Sequence, residues 1–173
     1  GRNGSCIITC SYEARAFGIK TGMSFLKAKH KCPSLIRCPS NPEKYTYESS
    51  KIMEILYNIS PDIEIFSIDE AFIDLSSCKK IYPSLFDVAY LIKDKIFSIL
   101  NLPCSIGIAE NKSNAKFAAK MQKPDGITVL PPDKSENILS NYPVRALCGV
   151  SDGVGTFLNN HGVFVCGDMK NIP

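Results

Sequence analysis

The sequence predicts an α+β fold, in which a β-sheet carries helices on one face. Amphipathic helix patterns at 42–59 and 84–100 alternate with apolar strand patterns at 63–75, 103–109 and 126–130. The segment 63–75 is too long and too apolar for one solvent-facing strand, which predicts two strands joined by a tight turn. The order helix, hairpin, helix, strand is typical of a ferredoxin-like antiparallel sheet with its helices on one side.

Before the first long helix, residues 12–31 mix glycines with basic residues, which predicts short helices and turns. The first long helix begins at a capping box, Ser40 to Glu43, with an early proline, and Pro61 ends it. One face of this helix is apolar and is expected to be buried: it carries Ile52, Ile55, Leu56 and Ile59.

The second long helix runs from Ser84 to Leu100, and Lys93 and Lys95 are predicted to lie off its apolar stripe of Leu85, Ala89, Ile92, Ile96 and Ile99. Another helix is predicted at 111–122. The prolines 131 and 132 follow the last strand and mark the predicted domain boundary. Beyond them, Asp133 to Glu136 is expected to cap a short helix, and the glycine-rich stretch 142–169 resembles paired short helices.

The composition excludes several classes of protein. Hydrophobic residues make up 45% of the 173 residues and charged residues 21%, which excludes a disordered tail, a collagen-like fibre and a low-complexity linker. No apolar run approaches the ~18 residues of a membrane span, and no signal-peptide pattern opens the chain. A net charge of +3 is too small by itself to indicate nucleic-acid binding, so the placement of the charges has to decide.

The cysteines and histidines indicate a reducing compartment and argue against a structural zinc site. The eight cysteines are scattered without CxxC pairs, which favours a reducing cytosol over a secreted scaffold. Only His30 and His161 offer imidazoles, and neither lies near a cysteine pair, so a structural zinc site is not expected. Any metal is expected to be a hard ion held by oxygen ligands.

The most unusual local feature is the pair Asp69–Glu70, which interrupts the apolar segment where the hairpin turns. A tight turn prefers Asn-Gly or Asp-Gly at this point, and two neighbouring carboxylates repel each other by about 1 kcal/mol in water. A cation is therefore expected to compensate them, and Mg²⁺ is the natural candidate because it takes carboxylate and phosphate oxygens. An exposed acidic turn without function is the alternative interpretation.

Two basic features point toward phosphate. Thr9, Tyr12 and Arg15 place two hydroxyl groups and a guanidinium close together, and residues 12 and 15 share a face if they are helical. An arginine can hold two phosphate oxygens while hydroxyl groups donate to others, as in a triphosphate site. A surface arginine beside a core tyrosine is the alternative interpretation.

The second basic feature is a row of lysines on the predicted helix 111–122 and just after it. The lysines follow one another at helical spacing, so the row lies on one side of the helix while alanines pack the other. Such a row suits phosphates of a nucleotide or of a nucleic-acid backbone. A solvated lysine face is the common alternative. The row consists of Lys112, Lys116, Lys120 and Lys123.

These motifs together closely resemble the Y-family of DNA polymerases, the lesion-bypass enzymes, and most nearly its DinB-like branch. The matching segments stand in family order over residues 7–130, with a looser match from 143 to 168. They are Ser11-Tyr-Glu-Ala-Arg15 with Phe17-Gly-Ile19, Gly22-Met23, Ser67-Ile-Asp-Glu-Ala-Phe72, Ser105-Ile-Gly-Ile-Ala-Glu-Asn-Lys112, Ala115-Lys116, Ala118-Ala119, Lys123-Pro124 and Gly126-Ile127.

The resemblance implies three domains: partial fingers at 1–41, a ferredoxin-like palm at 42–130, and the start of a helix-hairpin-helix thumb at 131–173. It further implies that Asp69 and Glu70 bind two catalytic Mg²⁺ ions and that Thr9, Tyr12, Arg15 and Lys123 hold the triphosphate of the incoming dNTP. The implied reaction is low-fidelity nucleotidyl transfer to a primer 3′ hydroxyl. The implied partners are primer-template DNA, dNTP and a sliding clamp that other regions contact, in the cytoplasm or nucleoid.

The sequence departs from the family pattern at two places. Family members begin with a strand that carries another metal-binding aspartate, and this sequence starts downstream of it. With two carboxylates for two divalent ions, we expect the chain alone to be inactive or nearly so. In the thumb, Ser151 and Asp152 replace a glycine and a neutral residue, and the extra anion is expected to weaken DNA binding by about 1 kcal/mol.

Two other functions stay open at this level. One is a DNA-binding or protein-docking module that keeps the polymerase shape without the chemistry. The other is a nucleotide cyclase on a similar palm, for which a glycine-rich turn is expected before the carboxylates, whereas Phe66, Ser67 and Ile68 stand there.

Overall fold

The structure is a computed structural model that describes residues 6–171. The chain forms two compact units, the first ending at Pro42 and the second beginning at Glu43. The three-domain division at 41 and 130 stays a prediction.

The first unit is built from two short helices, α1 (Tyr12–Ala16) and α2 (Phe25–Lys31). A serine caps each of them: the Ser11 hydroxyl accepts a hydrogen bond from the Ala14 amide, and the Ser24 hydroxyl accepts one from the Lys27 amide. The small core of the unit consists of Ala14, Ile19, Ala28 and Cys32. The predicted short helices and turns are confirmed.

The second unit contains four strands and five helices among the residues that the structure describes. Three single 3₁₀ segments lie between or after them, at Ser76–Cys78, Val144–Ala146 and Cys166–Asn171. The longer elements are α3 (Pro42–Tyr57), β1 (Ile63–Ile65), β2 (Ala71–Ile73), α4 (Leu85–Leu100), β3 (Ile106–Ile108), α5 (Lys112–Met121), β4 (Ile127–Val129), α6 (Pro132–Ser140) and α7 (Asp152–Asn160).

The strands form two separate pairs. β1 and β2 are antiparallel, with Ile63 opposite Ile73. β3 and β4 are parallel, with Ile106 opposite Ile127, because α5 carries the chain back between them. The α+β fold and its antiparallel hairpin are confirmed, and the parallel pair is an addition that the sequence did not predict.

Both strand pairs rest on the same core, which α3 and α4 provide. Isoleucines of β1, β2 and β3 pack against this core, so one apolar cluster connects the two helices with both strand pairs. The buried residues of the cluster are Met53, Ile55, Leu56, Ile59, Val88, Ile92 and Ile96.

Helix α5 lies directly on strand β3. A Cβ atom at Gly107 of β3 would stand 2.0 Å from the carbonyl oxygen of Ala115 and 2.4 Å from the amide nitrogen of Ala119. Only glycine permits this approach, so Gly107 sets the distance between α5 and the strand pair.

The predicted stripe of α4 is wrong at both ends. Leu85 and Ile99 are 43% and 61% exposed, whereas Val88 is buried. Leu100, the last residue of the helix, packs against the core, so the buried face lies to one side of the predicted stripe. Lys93, predicted off the stripe, has a side chain only 15% exposed.

The predicted cap at Asp133 is also wrong. Helix α6 begins at Pro132 without a side-chain cap, and Asp133 lies inside its first turn. A proline can begin a helix because its fixed φ suits the first turn. In 142–169 the structure has short helices with glycine turns, as predicted: α7 lies between the two 3₁₀ segments Val144–Ala146 and Cys166–Asn171, and the left-handed glycines Gly149 and Gly162 separate them.

No helix within 6–171 is both long and apolar enough to cross a membrane.

Candidate active site

The acidic pair lies in the turn between β1 and β2, where the sequence predicts it. The carbonyl oxygen of Glu70 closes this turn by accepting hydrogen bonds from the amides of Phe66 and Ser67, each 3.0 Å long. The Ser67 hydroxyl donates to a carboxylate oxygen of Asp69 at 2.8 Å. The connection, residues 66–70, is longer than the predicted tight turn and contains no left-handed residue. It therefore accommodates a glutamate without the cost expected for a two-residue turn.

Lysine 116 of α5 compensates the charge of Glu70. Its Nζ atom stands 2.6 Å from a carboxylate oxygen of Glu70, and the lysine side chain is 14% exposed against 38% for the glutamate. The same ammonium group lies 3.9 Å from the centre of the Phe66 ring, which adds a cation–π contact. Phe66 in turn packs edge-on against Phe72, with their ring centres 5.6 Å apart. Lys116 thus supplies a cation for Glu70, whereas the Asp69 carboxylate accepts from the Ser67 hydroxyl.

The predicted lysine row divides between two roles. Lys112 forms an ion pair with Glu64 of β1, one helical turn before the pair that Lys116 makes. These two lysines connect α5 to the hairpin and bridge strand pairs that share no backbone hydrogen bonds. Lys112, Lys120 and Lys123 are exposed, as the interpretation of a solvated lysine face expects, whereas Lys116 is not.

The carboxylates suit a hard cation in type but do not complete a site for one. Asp69 and Glu70, neighbours in the sequence, offer carboxylate oxygens, which are the ligands that Mg²⁺ takes in proteins. Within residues 6–171, no group of three or more acidic, histidine or cysteine side chains could hold a metal ion. The described residues therefore provide two carboxylates of the right kind. A divalent ion bound there would take its remaining ligands from water, from a substrate or from residues that the structure does not describe.

The turn that carries Lys123 follows directly after α5. Its peptide bond to Pro124 is cis, and Asp125 adopts a left-handed backbone with φ of 62°. A Cβ atom at Gly126 would stand 2.3 Å from the carbonyl oxygen of Gln122, so a glycine is needed where the turn closes. Lys123 is exposed at the outside of this turn.

In the first unit, the three residues of the predicted triphosphate site lie within or just before α1. Arg15 stacks on Tyr12, with its Cζ atom 4.9 Å from the ring centre, and its Nε atom donates to the carbonyl oxygen of Cys10 at 3.3 Å. Tyr12 is 49% exposed, so the interpretation as a core tyrosine is wrong. Thr9 is exposed as well.

The predicted site residues thus form two local groups. Thr9, Tyr12 and Arg15 belong to the first unit, and Asp69, Glu70 and Lys123 belong to the second. Their meeting in one site stays a prediction.

Two features near the site were missed from the sequence. An open groove of about 520 Å³ lies between α3 and the hairpin, with Met53, Tyr57 and Ile65 among its lining residues. No local pattern could show it, because it depends on how the hairpin lies against α3. The second feature is the role of Lys93. Its spacing from Ala89 and Ile96 places it beside the buried stripe of α4, and this signal was available.

In the predicted thumb, Asp152 is the first residue of α7 and its side chain is fully exposed. Arg145 donates to its carboxylate at 3.3 Å, to its carbonyl oxygen at 3.0 Å and to the Thr156 hydroxyl at 2.7 Å. Gly155 makes room for this arginine, since a Cβ atom there would stand 2.5 Å from its Cγ. The anion predicted to oppose DNA phosphates therefore has a cationic neighbour.

In the comparison with curated proteins, the relatives reported below are both named DNA polymerase IV. The DNA polymerase IV of Lactococcus lactis subsp. cremoris (strain MG1363) is 40% identical over 164 residues, which are 95% of this chain and 45% of that protein. The DNA polymerase IV of Streptococcus suis (strain 98HAH33) is 36% identical over 167 residues, 96% of this chain and 47% of that protein. This chain spans about half the length of the curated relatives that it matches.

Comparison with solved structures agrees. The crystal structure of DinB from Sulfolobus solfataricus matches with a TM-score of 0.87 at 30% identity, over 97% of this chain and 50% of that one. The insertion ternary complex of Dbh DNA polymerase matches with a TM-score of 0.86 at 30% identity, over 94% of this chain and 48% of that one.

A family model described as impB/mucB/samB matches residues 1–120. The chain therefore belongs to the impB/mucB/samB family, and its resemblance to the DinB-like branch of the Y-family polymerases is confirmed.

Proposed function

We propose that this chain is the core of a template-directed DNA polymerase of the translesion class, which transfers a nucleotide from dNTP to a primer 3′ hydroxyl. The observation that carries the proposal is the turn 66–70. It presents two adjacent carboxylates, Asp69 and Glu70, at the end of a hairpin that lysines of α5 hold in place. The relatives named DNA polymerase IV support the same reaction class.

Each predicted residue has a role that suits its chemistry. Asp69 and Glu70 would hold the two Mg²⁺ ions. When bound, such ions lower the pKa of an attacking hydroxyl and neutralise a pyrophosphate leaving group. Arg15 would hold two phosphate oxygens, while Tyr12 and Thr9 would donate hydrogen bonds to others. Lys123 would offset the charge that develops on the triphosphate.

We also propose that the chain needs further ligands before it is active. Two carboxylates carry at most two negative charges, which underbinds two divalent ions. The described residues assemble no third acidic, histidine or cysteine ligand. The partners we propose are primer-template DNA, dNTP and a sliding clamp that regions outside this sequence contact, in the cytoplasm or at the nucleoid.

Primer extension tests the proposal. The chain would be extended at its N-terminus with the strand that family members carry there, and Mg²⁺ would be titrated in the presence of dNTP. We expect Asp69→Ala and Glu70→Ala each to lower kcat by about 100-fold or more, because each removes a metal ligand. Asp87→Ala is the matched control, since Asp87 is an exposed carboxylate in the first turn of α4. Copying of the template by both site variants as well as by the parent would reject the site.

A second function, a non-catalytic DNA-binding or docking module, is favoured by one observation: the described residues contain no group of three or more acidic, histidine or cysteine side chains that could hold a metal ion. It predicts that the extended version binds primer-template DNA but incorporates no nucleotide at any Mg²⁺ concentration. The same titration separates the two functions.

A further inference from the structure

Lysine 93 points inward from α4 and makes three polar contacts. Its Nζ atom donates to the carbonyl oxygen of Cys104 at 2.6 Å, to the carbonyl oxygen of Asp125 at 2.8 Å and to the carboxylate of Asp125. The lysine side chain is 15% exposed. A buried ammonium group is costly unless it is paired and hydrogen-bonded, and these three acceptors use all three of its donors.

The two residues that Lys93 binds lie just before the N-terminal ends of the parallel strands. Cys104 precedes β3, and Asp125 precedes β4. Next to these contacts, the Ile106 amide donates to the carbonyl oxygen of Gly126 at 2.9 Å, which begins the pairing of the strands. Lys93 therefore fastens the beginning of both strands to helix α4.

The Asp125 contact also fixes the turn that carries Lys123. This turn holds a left-handed aspartate and a glycine packed against Gln122, so its backbone path is closely constrained. The contacts of Lys93 go to backbone carbonyls as well as to a carboxylate. A side chain that binds backbone atoms fixes the path of the chain, not only the direction of one side chain.

We propose that Lys93 is a positioning residue for a polyphosphate ligand: it fixes the turn 122–126 so that the exposed Lys123 is presented at one defined place. This inference rests on the proposed function, in which Lys123 binds the triphosphate of the incoming nucleotide. Lys93 itself has no access to the ligand, since its donors are all engaged within the protein.

The experiment measures the affinity of the N-terminally extended version for two fluorescent probes, mant-dATP and mant-dAMP. Lys93→Met is expected to weaken binding of the triphosphate about fivefold and to leave binding of the monophosphate unchanged, because only the triphosphate reaches Lys123. Lys95→Met, on the same helix, is the matched control and is expected to change neither. Lys123→Ala is expected to reproduce the loss for the triphosphate.

Hydrogen exchange of the 173-residue chain provides a readout independent of nucleotide. In Lys93→Met we expect the amides of residues 125–127 to exchange about tenfold faster, while those of β1 and β2 are unchanged. Lys123→Ala is expected to leave exchange as in the parent. Asp125→Asn keeps the two backbone acceptors and is expected to show a smaller increase, which covers the case that Lys93→Met does not fold.

The outcomes separate the inference from the function it rests on. If Lys123→Ala leaves triphosphate affinity unchanged, the proposed role of Lys123 is wrong, and the positioning role with it, whatever exchange shows. If Lys123→Ala weakens triphosphate binding but Lys93→Met does not, or if both Lys93→Met and Asp125→Asn leave exchange of 125–127 unchanged, the positioning role alone is overturned. Equal losses for both probes would likewise reject it, since they indicate general damage to the fold.

Discussion

At each strand pair of the second unit, a carboxylate pairs with a largely buried lysine from a helix. The two arrangements differ in what else the lysine binds. In the hairpin β1–β2, Lys116 contacts the Glu70 carboxylate and the face of Phe66. In the parallel pair β3–β4, Lys93 contacts the Asp125 carboxylate and two backbone carbonyl oxygens. The first arrangement orients a side chain, whereas the second fixes the backbone.

This difference matches the different tasks of the two regions. The Glu70 carboxylate is 38% exposed and pairs with one cation among residues 6–171, so it can exchange that partner for another cation. A glycine beneath α5 and the Lys93 contacts hold the parallel pair, so we expect it to be a rigid support. A polar turn with an exchangeable contact, linked through α5 to a well-supported strand pair, is the arrangement that a site for a charged ligand needs.

The largest effect is expected from breaking the rigid pair at Gly107. Gly107→Ala places a Cβ atom 2.0 Å from a backbone oxygen of α5, and backbone cannot move aside as a flexible side chain can. We expect the free energy of unfolding to fall by about 3 kcal/mol, measured by thermal and denaturant unfolding. Gly153→Ala is the control, since the nearest atom to its added Cβ is 4.0 Å away. Similar stability of both variants would show that α5 does not rest rigidly on β3.

Next in size is the loss of the Lys116 contact. Lys116→Met removes a charge-assisted hydrogen bond from Glu70 and a cation from the face of Phe66, and we expect the free energy of unfolding to fall by about 1.5 kcal/mol. Lys112→Met is the matched control one turn away, because its pair with Glu64 is more exposed on both sides. We expect it to cost less than about 0.5 kcal/mol. Equal losses in the two variants would contradict the distinction.

A smaller effect is expected at Cys104, at the entrance of the rigid pair. Burial raises the pKa of its thiol, Lys93 opposes this and Asp125 adds to it. A raised pKa leaves less reactive thiolate at a given pH. At pH 8.5 we expect iodoacetamide to label Cys104 about fivefold more slowly than the exposed Cys148, as read by mass spectrometry of peptides. Labelling of both at one rate would show that this region is open to solvent.

The smallest effect is the salt dependence of the Lys112–Glu64 pair. A double-mutant cycle with Lys112→Met and Glu64→Gln, measured by the free energy of unfolding, is expected to give a coupling energy of about 0.3 kcal/mol at low salt. The value is small because both side chains are largely exposed. The coupling is expected to vanish in 1 M NaCl, where screening acts over about 3 Å. A coupling energy that persists in high salt would contradict this, and would show that the Lys112–Glu64 pair contributes to stability as the less exposed Lys93 contacts do.

The sequence by itself determined most of the local structure, because capping and periodicity act over about four residues. The helices that begin after Ser84 and Asn111 and the hairpin around Asp69 and Glu70 were all predicted from neighbouring residues, as was the family. The ends of the α4 stripe were misjudged because the helix pattern alone does not say which side of an apolar stripe faces the core, and Leu100 packs there while Ile99 is exposed.

Only the tertiary structure decided which partners the lysines take. Lys116 meets Glu70 across 46 positions of sequence, and Lys93 meets Asp125 across 32. Such pairings depend on the path of the chain, which here makes β3 and β4 parallel and lays α5 across both strand pairs. The residue types that suit magnesium and phosphate were visible in the sequence, whereas the support that holds each of them in place exists only once the chain has folded.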